Sequence, residues 1–301
     1  MTRRILLALT LALLFPMPGT RPAAGLTLAD QTGRQVVLPA LPGRIISLVP
    51  SVTEILFTIG AQDRLVGVTD FCDYPDDARR KPSVGGMLAP SLELMVALKP
   101  DLVIATTSGN RQETFDQLGR LQIPVFLVNP ITVADVLDLI GRLGRLADRG
   151  DAADRVVAGL RERIQAITAR VATRPRPRVL YVLWPDPLIV PGRGALVSEL
   201  IDLAGGDSVT ADGGQGYPRY SMEAAVARNP EIIVLASHGS ERSPLVRSKW
   251  ERLHQVPAIS AGRLYTVDGN LMHRYGPRMV DGLETLARLI HPEAFDGAAR
   301  R

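Results

Sequence analysis

Cysteine is all but missing: the 301 residues hold one, Cys72. A single thiol excludes an intramolecular disulfide, and its place in the chain excludes a lipid-bearing cysteine at the start of an exported product. A C-x-x-C metal or redox motif is excluded with it. The histidines, His238, His254, His273 and His291, are not spaced as a ligand pair on one helix, so zinc has weak sequence support. There is no G-x-S-x-G elbow. Pro191-Gly192-Arg193-Gly194-Ala195-Leu196-Val197 lacks the third glycine of a dinucleotide loop, with Val197 in its place, and no P-loop lysine follows. A tight turn is expected there. Enzyme chemistry finds no constellation to rest on, and no catalysed reaction is expected.

Net charge is also small. The formal +4 includes Arg3, Arg4 and Arg21, and without these three it falls to +1. Nucleic acid is therefore not an expected partner. Those arginines belong to a leader-like start: a charged Met1-Thr2-Arg3-Arg4, an apolar run from Ile5 to Phe15, then small residues at Ala23, Ala24 and Gly25. This is the pattern of a secretory signal peptide, expected over residues 1–25. The alternative is a short membrane anchor, although the run is too short to span a bilayer, and no later run is long and apolar enough. The expected product is exported, soluble and disulfide-free.

What is present is an alternation of strand and helix patterns. Leu26 to Leu38 reads as a hairpin. Arg44-Ile45-Ile46-Ser47-Leu48-Val49 reads as a strand, and Pro50-Ser51-Val52-Thr53-Glu54 opens a helix for which Ser51 or Thr53 is the expected cap. Further strands are expected at 65–69, 101–105, 125–128, 179–183, 188–190, 232–236 and 263–267. Helices are expected at 92–98, 112–121, 133–146, 195–203, 222–227 and 277–290. Strands rich in Val, Ile and Leu alternating with helices predict an α/β fold with parallel sheets.

One long helix is expected mid-chain. From Asp151 to Ala172 apolar residues recur at Val156, Val157, Leu160, Ile164, Ile167 and Val171, steps that place them on one face. Thr173-Arg174-Pro175-Arg176-Pro177 stops it. The chain then divides into an N-terminal α/β lobe over 26–150, a linking helix over 151–173 and a C-terminal α/β lobe over 174–301.

An internal repeat supports that division. Ser91-Leu92-Glu93-Leu94-Met95-Val96-Ala97-Leu98-Lys99-Pro100-Asp101 shares Ser, Glu, Val, Ala and Pro with Ser221-Met222-Glu223-Ala224-Ala225-Val226-Ala227-Arg228-Asn229-Pro230-Glu231, at a spacing of 130 residues (223 less 93). Chance agreement between two common helix–proline–strand units is one explanation. Two similar lobes, each presenting a glutamate at the start of an equivalent helix, is the other.

Aromatic residues cluster in loops. Phe71, Tyr74, Trp184, Tyr217 and Tyr275 fall just past strands or in Gly/Pro-rich stretches. Ligands of open α/β sheets bind at the carboxyl ends of strands, so flat side chains there suit a large, flat, partly apolar ligand. Pinning the loops is their alternative role. Arg274 would add a charged donor to such a cleft, or be a solvated loop arginine.

Taken together, the Arg44–Glu54 segment, Val66-Gly67-Val68 with Cys72-Asp73-Tyr74-Pro75, Leu92-Glu93 with Leu98-Lys99-Pro100-Asp101-Leu102-Val103, the mid-chain helix and the second Glu–Pro unit resemble the helical-backbone class of periplasmic substrate-binding proteins. The resemblance runs from Arg44 to Ile290 and is strongest to the cobalamin binders of ABC importers. It implies two Rossmann-like lobes with parallel sheets, joined by one long α-helix, with a ligand cleft between them. It implies a monomer that carries cobalamin or a related corrinoid as cargo, without a cofactor, to a permease and its ATPase. By position, Glu93 and Glu223 would dock on the permease. Phe71, Met87, Trp184, Tyr217, Asn270 and Arg274 would contact ligand. Met87 and Thr106 stand where a cobalamin binder of the class carries tryptophan, Asn270 stands where an aspartate is expected, and a cysteine pair in the second lobe is absent. The class also holds haem and ferric-siderophore binders; haem would need an axial ligand, for which Tyr74 and His273 are the candidates. A chelatase-like enzyme on a similar plan would need convergent histidines and carboxylates.

Overall fold

The computed structural model describes residues 25–237 and 244–295. The expected leader lies outside them except for Gly25, and so does His238. A hairpin of β1 (Leu26–Ala29) and β2 (Gln35–Leu38) leads into β3 (Ile45–Ser47), α1 (Pro50–Thr58) and β4 (Leu65–Val68). Then follow α2 (Leu92–Ala97), β5 (Leu102–Thr106), α3 (Gln112–Arg120), β6 (Val125–Val128), α4 (Val133–Leu146) and α5 (Gly150–Val171). The second half holds β7 (Arg178–Val182), β8 (Trp184–Pro185), β9 (Leu188–Ile189), α6 (Leu196–Leu203), β10 (Asp207–Ser208), α7 (Met222–Ala227) and β11 (Ile232–Ser237). It closes with α8 (Pro244–Glu251), α9 (Pro257–Ser260), β12 (Leu264–Asp268), α10 (Gly269–His273) and α11 (Met279–Ile290).

Each half builds one parallel four-stranded sheet. The first has the order β4-β3-β5-β6 and the second β10-β7-β11-β12. Numbered within its own half, each sheet runs second, first, third, fourth, so the lobes share one topology. In both, the order reverses beside the first strand, which opens a crevice at the strands' carboxyl ends. The central strands β3, β5, β7 and β11 are almost wholly buried, as sheets covered by helices on both faces require.

The repeat is visible in three dimensions. Ser91 and Ser221 cap their six-residue helices by accepting from the N–H of Leu94 and Ala224. Lys99 and Asn229 both adopt a left-handed conformation, at φ 46° and 49°, just before the proline. Asp101 N–H donates to the Arg44 carbonyl and Glu231 N–H to the Arg178 carbonyl, each at 2.8 Å. Both arginine side chains return to carbonyls at the end of the neighbouring helix.

The mid-chain helix α5 begins one residue earlier and ends one earlier than its pattern suggests, and at 22 residues it is about 33 Å long. Its buried face carries Val157, Leu160, Ile167 and Val171, against α4 and α11. Gly144 lets α4 and α5 approach: a Cβ there would lie 2.3 Å from that of Ala153. Arg163 ties α5 to Asp281 (2.8 Å) and Glu284 (3.2 Å) of α11. One apolar cluster runs unbroken from Val36 through α4 and α5 to Ile290, so the two lobes share a core.

Several local expectations change. Neither Ser51 nor Thr53 caps α1; it starts at Pro50, whose missing N–H costs nothing in a first turn. Both residues turn inward, and Thr53 Oγ1 lies 3.0 Å from Ser47 Oγ and 3.2 Å from Cys72 Sγ. The segment at 188–190 does not join the parallel sheet; β9 folds back antiparallel on β8. The edge strand β10 has two residues, too few for an alternation to be read. Among the described residues no helix is long and apolar enough to cross a membrane.

Candidate functional site

The carboxyl ends of the two sheets face a common cleft. After β3 the chain supplies Val49, Pro50 and Ser51; the last residue of β5 is Thr106, followed by Ser108 and Gly109; after β6 come Asn129, Pro130 and Ile131. The second lobe answers with Gly194 and Ala195, with Gln215 to Tyr217, and with His273 to Tyr275. They enclose a cavity of about 550 Å³. A second cavity of about 580 Å³ adjoins it, between Phe71, Gly86, Leu88 and Ala89, and shares Pro50, Met87 and Arg274 with the first.

Four of the six residues singled out from sequence therefore lie on these cavities: Met87 and Arg274 on both, Tyr217 on the first and Phe71 on the second. Trp184 sits in β8, its indole N–H donating to the Asp186 carbonyl, and Asn270 sits in α10, its N–H donating to Asp268. Neither lines the two cavities. Met87 is held by Asn110, whose amide donates to the Met87 carbonyl (2.6 Å) while its oxygen accepts from Thr106 N–H (2.8 Å).

Arg274 is not a free cation. Its Nη1 lies 2.5 Å from Asp73 Oδ1 and 3.2 Å from Glu54 Oε1, and its Nη2 lies 3.4 Å from the Phe71 carbonyl. Glu54, with a side chain only 1% exposed, also takes Arg278 at two points: Nε to Oε2 at 2.9 Å and Nη2 to Oε1 at 2.6 Å. The Arg278 guanidinium stacks 3.8 Å from the centre of the Tyr74 ring. Burial alone would raise the Asp73 carboxyl, but the hydrogen bond and charge of Arg274, with Arg79 beside it, outweigh burial and hold it below its ordinary value. Burial works against the Arg274 charge as well, and Asp73 and Glu54 overcome it. The group joins α1 and the loop after β4 to the segment between α10 and α11.

A second tie joins the lobes. Glu199 of α6 accepts from Val133 N–H at 3.0 Å and so serves the amino end of α4 from the opposite lobe. The second lobe brings an aromatic cluster to the cavity. Tyr217 and Tyr275 hydroxyls meet at 3.2 Å, and Tyr181 hydroxyl lies 2.9 Å from His273 Nε2. Burial raises the Tyr217 and Tyr181 phenols, so both stay neutral donors.

Glu93 and Glu223 are exposed, each in the first turn of its helix. Among the described residues, no three His, Cys, Asp or Glu side chains converge to hold a metal. Glu54, Asp73 and Arg278 carry no local motif for an inter-lobe role; Glu54 reads as an ordinary helix residue.

Comparison with known proteins agrees with this architecture. Residues 45–271 match the family described as periplasmic binding protein. The vitamin B12-binding protein of Photorhabdus laumondii is 31% identical over 255 residues, covering 84% of this chain and 90% of the relative. Among solved structures, the periplasmic vitamin B12 binding protein BtuF of Vibrio cholerae superposes with a TM-score of 0.74 at 26% identity, over 85% of this chain and 99% of that one. The periplasmic heme-binding protein RhuT from Roseiflexus sp. RS-1 in apo form superposes with a TM-score of 0.75 at 25% identity, over 83% and 98%. Two like lobes, a cleft at their sheet ends and a family match spanning both establish that the chain belongs to the periplasmic binding protein family.

Proposed function

We propose that the chain binds cobalamin or a related corrinoid between its lobes and delivers it, on the periplasmic side, to the permease of an ABC importer and its ATPase. The observation that carries this reading is the likeness to vitamin B12-binding proteins along most of the chain. The cleft supports it. Two adjoining cavities of about 550 and 580 Å³, walled by apolar and aromatic side chains with a few fixed donors, suit a large chelate with polar substituents. Phe71, Met87, Tyr217 and Arg274 would contact it; Trp184 and Asn270 would reach it only from outside these cavities. Glu93 and Glu223 would dock on the permease, setting orientation and on-rate more than affinity. The chain would act as a monomer, with residues 1–25 as its leader, and the reading includes no catalysed step.

Haem is the second reading, favoured by the likeness to the heme-binding protein. Its axial-ligand candidates are poorly placed for it: His273 Nε2 meets the Tyr181 hydroxyl, and Tyr74 lines neither cavity. Titration calorimetry with cyanocobalamin and hemin separates the two readings. Tighter binding of cyanocobalamin supports the first, and tighter binding of hemin replaces it with the second.

A further inference from the structure

Arg274 is the one arginine or lysine among the described residues lining the two cavities. A lone guanidinium in a half-closed cleft would ordinarily draw anionic ligands, since water is partly excluded and the field is focused. Carboxylates and phosphates are the groups that an arginine fork fits best. Here that attraction has been spent within the protein. Two carboxylates of the first lobe, Glu54 and Asp73, meet the two guanidinium groups of the second, Arg274 and Arg278. Both carboxylates touch the same Arg274 nitrogen, Nη1, and Nη2 points towards a backbone carbonyl. Charge is balanced within the group. Arg79 lies beyond it, 3.8 Å from the outer oxygen of Asp73 and largely in solvent.

Such a guanidinium can still donate weakly to a neutral acceptor, yet it presents little net positive field to an incoming anion. A ligand carboxylate would approach the carboxylates of Asp73 and Glu54 as closely as the guanidinium, and like charges brought together in a cleft are costly. An amide oxygen pays no such penalty. We propose that Glu54 and Asp73 are specificity-determining residues: by neutralising Arg274 they make the cleft accept a large chelate rimmed with uncharged amides and disfavour one bearing free carboxylates. The inference rests on the corrinoid reading for the identity of the favoured ligand, and it rests on the ion-pair geometry for the discrimination.

Asp73→Asn tests it without emptying the core, because the Asp73 side chain is 34% exposed and Asn keeps its shape. Glu54→Gln is a second variant, read only if it folds. Affinities for cyanocobalamin, hemin and hemin dimethyl ester are measured by titration in wild type and variants. The ester keeps the ring and lacks the two carboxylates. Asp73→Asn is expected to tighten hemin by about tenfold, as befits one unmasked charge in a partly solvated site. Cyanocobalamin and the ester should shift by less than about twofold, and the gain should shrink as salt is raised. Asp73→Glu should restore the wild-type order. Hemin affinity unchanged by Asp73→Asn, or a like shift for hemin and its ester, overturns the inference. The corrinoid reading is judged separately, by whether wild-type protein binds cyanocobalamin at all.

Discussion

Glu54 and Arg278 meet across the two lobes in a two-point ion pair, Nε to Oε2 at 2.9 Å and Nη2 to Oε1 at 2.6 Å, with the carboxylate 1% exposed. A planar guanidinium facing a carboxylate in this way combines charge with fixed direction. The same carboxylate holds Arg274, so one buried group of α1 orients two arginines of the second lobe.

Replacing one partner strands the other. Arg278→Met leaves Glu54 buried with a single, longer contact, and the unfolding free energy is expected to fall by about 3 kcal/mol. Urea denaturation measures it. A loss below about 0.5 kcal/mol would mean that the pair contributes to placement and not to stability.

Acid should release the Asp73 arm of this group. Its carboxyl is held below the ordinary value of 3.8, so the folded form binds the proton less readily than the unfolded chain. The resulting stabilisation is complete above the unfolded value and disappears as pH falls through the lower, folded one. The melting-point difference between wild type and Asp73→Asn should be constant from pH 7 to about 5 and shrink below about pH 4. A difference that grows on acidification would contradict the assignment.

Much of the architecture can be read from local pattern. The 130-residue repeat survives as matched Ser caps and left-handed residues before proline, because each depends on a few neighbouring residues. The long helix is legible for the same reason. The inter-lobe group is not. Its members lie 220 and 224 residues apart, and Glu54 lies in α1 past the first turn, where nothing in the local pattern marks it. Short pairings such as β8 with β9 escape as well, since two residues show no period.

The equivalence of Glu93 and Glu223 leads to a separate expectation. Both are exposed, and neither lines the cavities. Changing both to alanine should leave ligand affinity within about twofold and abolish transport in reconstituted vesicles, because rim charges steer docking. Undiminished transport by the double variant would remove these residues from the docking surface.

Lobe movement should be small. A shared apolar core, the unbroken α5 and two ties between the lobes, through Glu54 and Glu199, oppose hinge opening. Small-angle scattering profiles with and without ligand should superpose; a marked compaction on binding would show that the ties open and close.

The central claim is that this cleft receives a corrinoid. Titration calorimetry of the protein with cyanocobalamin, hemin and a ferric hydroxamate tests it most directly. Saturable one-to-one heat with cyanocobalamin, at an affinity above those for the other two, is the predicted result. No heat with cyanocobalamin and clear heat with hemin or the ferric complex would contradict it.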